Sequence, residues 1–285
     1  MKTSSAVLLL AVQGLLGGGC RDSSTPAAPL PVITAPASAA LNHQLYVYTG
    51  DTAFRPVAGV RIEALDGPLA SQTMTTDANG VFKYGGTVPV STRFRATKSG
   101  YMTATESSYS NGGGTSIVTF MLDVDTPPVQ IAGDYVLTFV ADPACADRLP
   151  KDVPSLIYDA TIVRLPSVAG KLDTQYTLTV RSANVLTVDS FGVGVSGTTV
   201  GFNLYHGEDA GLVEQLSPTL FRYLSGQGEA TVAGSSPATI SAPLDGTIEY
   251  CGVTGAGISS GGCDQTSGSS LVCRSKNNRV TLTRR

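Results

Sequence analysis

Five cysteines and two histidines carry most of the chemistry that this 285-residue sequence can offer. The cysteines are Cys20, Cys145, Cys251, Cys263 and Cys273, and no two stand in a Cys-x-x-Cys pair, so their spacing spells no zinc-type ligand set. His43 stands alone. His206 is followed by Gly207, Glu208 and Asp209, residue types that bind metals or move protons. With no second His or Cys nearby, they are read as a solvated loop. Asp77-Ala78-Asn79-Gly80 begins like a calcium loop but lacks the later ligands and the bidentate Glu. The same four residues suit a hairpin turn, in which Asn and Gly accept positive φ. Glu214 paired with Glu229 or Glu249 would be the carboxylates of a hydrolase with a dispersed site, although nothing local brings them together. No Gly-x-Ser-x-Gly lies between a strand and a helix. The runs Gly112-Gly113-Gly114 and Gly261-Gly262 do not lead from a strand into a helix as a phosphate loop requires. The expectation is a non-enzymatic protein, with no catalytic residue, no metal and no cofactor.

Composition points the same way. Charged residues make up 14% of the chain, against about 25% in an average soluble domain. The formal charge is −3 with a pI near 5.4, which excludes a strongly basic nucleic-acid binder. With 42% apolar residues it is not a charge-rich disordered chain, and 32 Gly and 16 Pro argue against long helices. A Thr/Ser/Gly/Val-rich chain of this length fits two small β domains.

The N-terminus reads as an address. Lys2 supplies a positive start, Ala6 to Leu16 an apolar run too short to span a bilayer, and Gly17-Gly18-Gly19 lead into Cys20. This order resembles a bacterial lipoprotein signal, although Leu16 stands four residues before the Cys instead of the usual three. The resemblance implies that residues 1–19 are removed, that Cys20 is acylated, and that the mature protein is anchored in the cell envelope. The outer membrane is expected, on its periplasmic or surface face. Lipidation of Cys20 leaves four cysteines, an even number that suggests disulfides in an oxidising compartment. Cys251 and Cys263 flank a Gly-rich loop and would close it. Cys145 would then join Cys273, tying the end of the first strand of the second domain to the approach to its last.

Residues 20–41 are rich in Pro, Ala and Ser and form an extended tether. Residues 42–123 alternate in short segments separated by turn signals, about seven strands and so a β-sandwich. The order PVAGVRIEAL (56–65), TTDANGVFKY (75–84) and FRATKSGY (94–101) resembles the carboxypeptidase regulatory-like domain. That resemblance implies a transthyretin-like sandwich without catalytic residues. Val124-Asp125-Thr126-Pro127-Pro128 is read as a short stiff linker.

Residues 129–285 repeat an apolar-in, Thr-out alternation in eight or nine segments, as in Tyr176-Thr177-Leu178-Thr179-Val180. Ala210 to Leu216 is the one stretch that reads as helical. Eight antiparallel strands close as an up-and-down barrel or fold as a sandwich. Gly133-Asp134-Tyr135 at the start and Arg284-Arg285 at the end resemble the lipocalin and avidin group, with Tyr where Trp is usual. GDYVLT, a following Cys, Leu149-Pro150 and YDATI (158–162) also resemble a repeated domain of bacterial lipoproteins, which implies no activity. The fold expected is all-β. Tyr46, Tyr48, Tyr101, Tyr109, Tyr205 and Tyr223 lie on or near strands, where Tyr stacks on sugars or anchors a protein partner as well as packing in cores. The expected role is an anchored binding protein for a glycan, a small apolar ligand or an envelope protein. A structural or assembly role in an envelope complex is the alternative.

Overall fold

A computed structural model describes residues 44–86, 88–110, 114–145, 147–150, 156–166, 174–181, 190–204, 211–252 and 270–285. The signal, Cys20, the tether, His43, Tyr205, His206 and Cys263 lie outside the described residues. The described chain falls within one compact unit, Ala40–Arg285, and contains two hydrophobic cores.

The first core lies between two four-stranded sheets. The strands are β1 (Gln44–Asp51), β2 (Arg61–Ala64), β3 (Thr73–Thr75), β4 (Val81–Tyr84), β5 (Arg93–Thr97), β6 (Ala104–Ser107), β7 (Tyr109–Ser110) and β8 (Thr115–Leu122). One sheet has the order β4-β1-β8-β7 and the other β3-β2-β5-β6. Period-two alternation aims Leu45 and Val47, Ile62 and Ala64, Phe94 and Ala96, and Val118, Phe120 and Leu122 inward, all at 0% exposure. β1 and β8 run parallel in continuous register from Gln44↔Thr115 to Asp51↔Leu122. Eight strands form where seven are expected, because β7 is a two-residue edge strand too short to show a pattern.

The second core fills a closed antiparallel barrel. Its strands are β9 (Gly133–Val140), β10 (Leu156–Arg164), β11 (Gln175–Arg181), β12 (Ser190–Ser196), β13 (Thr199–Asn203), β14 (Leu212–Ser217), β15 (Leu220–Thr231), β16 (Thr239–Gly252) and β17 (Ser270–Arg284). Consecutive strands pair except β13 with β14, β13 pairing onward with β15, and β17 returns to pair with β9. β13 and β14 share one wall position: β13 pairs with Gln227–Thr231 of β15, and β14 with Leu220–Leu224. Nine strands therefore occupy eight places. Of the 210–216 stretch, Ala210 lies outside the described residues, and Leu212 onward is the strand β14, not a helix. Pairing with β15 puts Leu212 opposite Leu224 and Glu214 opposite Arg222, so tertiary pairing overrides the local pattern.

The meander gives the barrel two ends. By strand direction β9, β11, β13, β14 and β16 finish at one end, and β10, β12, β15 and β17 finish at the other. At this second end Val129 and Ile131 are buried ahead of β9. Tyr135 and Arg284 are cross-strand partners there. The Arg284 guanidinium lies 5.2 Å from the Tyr135 ring centroid and donates to the carbonyls of Ala132 (3.0 Å) and Gln130 (3.3 Å).

The two cores are fastened together by the segment after β1. Asp51 is buried and its carboxylate accepts from the backbone N–H groups of Ala53 (2.9 Å) and Arg55 (3.1 Å) and pairs with the Arg55 guanidinium at 2.6 Å. The loop so fixed, with Phe54 at φ 67°, lies against the outer face of β12 and β13. Thr52 donates to the Val195 carbonyl (2.6 Å) and its own carbonyl accepts from Gln175 (3.1 Å). Thr174 donates to Asp123 at 3.0 Å. In the 124–128 segment Val124 bridges Tyr101, and the Asp125 N–H donates to the Gly100 carbonyl.

Candidate functional site

Among the described residues the exposed tyrosines, Tyr48 and Tyr109, lie on one face. In the β4-β1-β8-β7 sheet, Leu45, Val47, Ser116 and Val118 point into the core, so Tyr46, Tyr48, Lys83, Ile117 and Tyr109 point out. Register sets Tyr109, Ile117, Tyr46 and Lys83 in a row across four strands. At about 4.8 Å per strand, the row spans roughly 14 Å. Tyr46 and Tyr48 are near-parallel, with planes 11° apart and centroids 6.3 Å apart. The Lys83 ammonium lies 5.3 Å from the Tyr46 centroid, and the Tyr46 hydroxyl donates to Gln44 at 3.0 Å. Tyr48 is 40% and Tyr109 51% exposed. Such a face offers apolar ring surface bordered by hydroxyl, amide and ammonium groups, the mixture that holds an amphipathic, uncharged ligand. Of the other expected tyrosines, Tyr101 is half-buried and Tyr223 is buried inside the unit.

A second cluster, which pattern reading missed, lies inside the barrel near the end at which β9 and β16 finish. Arg222 is buried at 1% exposure, and its Nη2 meets Glu214 Oε2 at 2.5 Å. Tyr158 donates its hydroxyl to the same oxygen at 2.7 Å and accepts from Arg222 at 2.9 Å. The guanidinium lies 5.9 Å from the ring centroids of both Tyr158 and Tyr250. Burial pushes the Tyr158 phenol well above its ordinary value, and its hydrogen bond to the Glu214 carboxylate adds to this against the opposing pull of Arg222. Burial alone would lower Arg222, but Tyr158, Tyr250 and Glu214 outweigh it and hold the guanidinium charged. The signal available in sequence was Glu214 and Arg222 at inward-facing strand positions, visible only once β14 is recognised as a strand.

Glu214 faces the interior, whereas Glu229 pairs with Arg55 on the outside at 3.6 Å, so the pleat separates these carboxylates. Glu249 is half-buried on β16 and pairs in register with Tyr223 and Val272. Asp77 caps its own turn, accepting from the N–H groups of Asn79 and Val81 at 2.9 Å each. Among the described residues no group of three or more His, Cys, Asp or Glu side chains forms. Cys145 and Cys273 form a disulfide with a Cα–Cα distance of 5.6 Å. Cys251 is also disulfide-bonded, and its partner lies outside the described residues. A groove of about 240 Å³ opens beside the docking loop between Phe54, Pro56 and Gln227. A second, of about 320 Å³, lies by Asp134, Arg181 and Arg285.

No family model and no curated protein matches the sequence. Among solved structures, the chain is similar to "The Bacillus anthracis TIE protein", with 12% identity, 81% of this chain and 48% of that one covered, and a TM-score of 0.25. The chain thus spans about half the length of that structure, and at that TM-score the likeness assigns neither fold nor function to it.

Proposed function

We propose that this protein is a non-enzymatic, lipid-anchored binding protein of a bacterial envelope, and that the outer face of the β4-β1-β8-β7 sheet holds its ligand, a polysaccharide. The observation that carries this reading is the row of Tyr109, Ile117, Tyr46 and Lys83 beside the near-parallel Tyr48 ring. A pyranose ring has apolar C–H faces and a rim of hydroxyls, so ring surface and polar groups on one flat sheet match its two aspects. In this reading Cys20 carries the lipid, residues 21–41 form the tether, and the sandwich is a carboxypeptidase regulatory-like module. The Tyr135–Arg284 contact supports a lipocalin-like reading of the barrel, which serves as the body to which the binding sheet is fixed. The test is a glycan array with the mature protein, followed by titration of the best polysaccharide. Binding that is lost in Y46A/Y48A supports the proposal. A blank array, or binding unchanged in that variant, rejects it.

A further inference from the structure

We infer that the groove where the docking loop meets the barrel is a second ligand site, and that it takes a single pyranose ring. Residues 53–56 of the loop line one side, and β13 and β15 of the barrel line the other. Its volume of about 240 Å³ falls below the range of about 300–1,000 Å³ that drug-sized ligands fill. The space therefore suits one ring and not a chain.

Phe54 supplies the apolar surface. Its Cζ lies 3.6 Å and 3.2 Å from where Cβ atoms would stand on Gly192 and Gly194, so the ring tip rests on bare sheet. The residue is half-buried and lines the groove. It also holds φ at 67°, a left-handed conformation that bulky side chains rarely adopt. A Gly would relieve that backbone and keep the turn, because the Asp51 carboxylate is bonded to the N–H groups of Ala53 and Arg55. Strain of this kind gathers at ligand sites.

Planar polar groups border the ring. The buried Asp51 carboxylate takes the Arg55 Nε–H at 2.8 Å and meets Nη2 at 2.6 Å, leaving the other guanidinium N–H groups to further acceptors. The Glu229 carboxylate stands 3.6 Å from Arg55 Nε, beyond a hydrogen bond, and is 54% exposed. Gln227, two residues before it on β15, presents its amide on the same outer face. A donor fan, a carboxylate and an amide around an aromatic ring match the vicinal hydroxyls and the C–H face of a pyranose. Asp51 cancels the charge of Arg55, so the groove has no spare positive charge for an acid. Arg55 beside Glu229 in turn opposes a cation.

The experiment titrates the methyl α-D-pyranosides of glucose, galactose and mannose into the mature protein, read by saturation-transfer NMR. At least one should bind saturably, and equally well in wild type and Y46A/Y48A. Q227A/E229A should weaken that binding at least about tenfold. F54A should weaken it too. F54A also disturbs the docking loop, so the exposed Q227A/E229A pair decides if F54A does not fold. No saturable binding by any of the three glycosides, or binding unchanged in Q227A/E229A, overturns the inference. So does loss of glycoside binding in Y46A/Y48A, or saturable binding of lysine or propionate in place of the glycosides. The inference does not rest on the polysaccharide face: a blank array leaves the groove result standing, and a failed groove titration leaves the array result standing.

Discussion

Gly194 on β12 and Gly201 on β13 are direct cross-strand partners, and the carbonyl oxygens of Thr52 and Ala53 occupy the space where their Cβ atoms would be. The two glycines leave a bare patch of sheet on which the sandwich loop rests backbone to backbone. Asp51 holds that loop in shape from beneath. The tandem is thus keyed together and not merely strung on a linker.

A side chain at either glycine must push the two cores apart. G194V and G201V are expected to destabilise the protein by about 2–3 kcal/mol, the cost of overpacking a tight contact. They should also split a single urea transition into two. G85A, where a Cβ meets nothing within 4 Å, is the control and should be close to neutral. A single unshifted transition in G194V would mean that the contact is dispensable.

The Cys145–Cys273 disulfide spans 128 residues in sequence. In the chain-entropy model, closing a loop of that size contributes about 4–5 kcal/mol. C145A/C273A should therefore lose several kcal/mol in urea unfolding under oxidising conditions. A loss below about 1 kcal/mol would contradict the model for this barrel.

The Arg222–Glu214 pair should behave as a buried ion pair. R222M alone strands the carboxylate and is expected to cost about 3–5 kcal/mol, whereas R222M/E214L removes both charges and should recover much of that loss. A double-mutant cycle by urea unfolding measures the difference. Simple additivity would mean that the two groups do not depend on each other.

Asp142 links the segment after β9 to β17, accepting from Ser275 at 2.5 Å, from the Ala144 N–H at 2.9 Å and from Asn277 at 3.3 Å. The Ser275 hydrogen bond, then that of Ala144, holds its carboxyl below the ordinary value of 3.8. Its folded value is depressed, so its contribution is present above pH 3.8 and is lost as pH falls through the folded value. Wild type should therefore melt higher than D142N at pH 6, and the two should converge in acid. A gap that stays constant down to pH 2 would assign the effect to shape instead of charge.

Much of this architecture is legible in the residues. The alternation of Tyr176, Leu178 and Val180 with Thr177, Thr179 and Arg181 marks a one-sided strand, and its repetition marks the barrel. Closure was open between barrel and sandwich, because the pairing of β17 with β9 joins residues about 140 apart and leaves no local signal. The docking loop was hidden for a related reason. Gly192, Gly194 and Gly201 read as weak strand glycines until the loop that covers them is in place. Tyr46 and Tyr48 were visible as alternating aromatics, but Tyr109 joins their face only through the parallel pairing of β1 with β8.

The most direct test of the proposed function exploits the absence of tryptophan, which leaves the 11 tyrosines as the only large fluorophores. Titrating the mature protein with the polysaccharide selected on the array should change tyrosine emission in a saturable way. Y46A/Y48A should lose at least about tenfold in affinity, equivalent to about 1.4 kcal/mol, while keeping its melting temperature within a few degrees. Saturable binding of equal affinity in wild type and Y46A/Y48A would contradict the account.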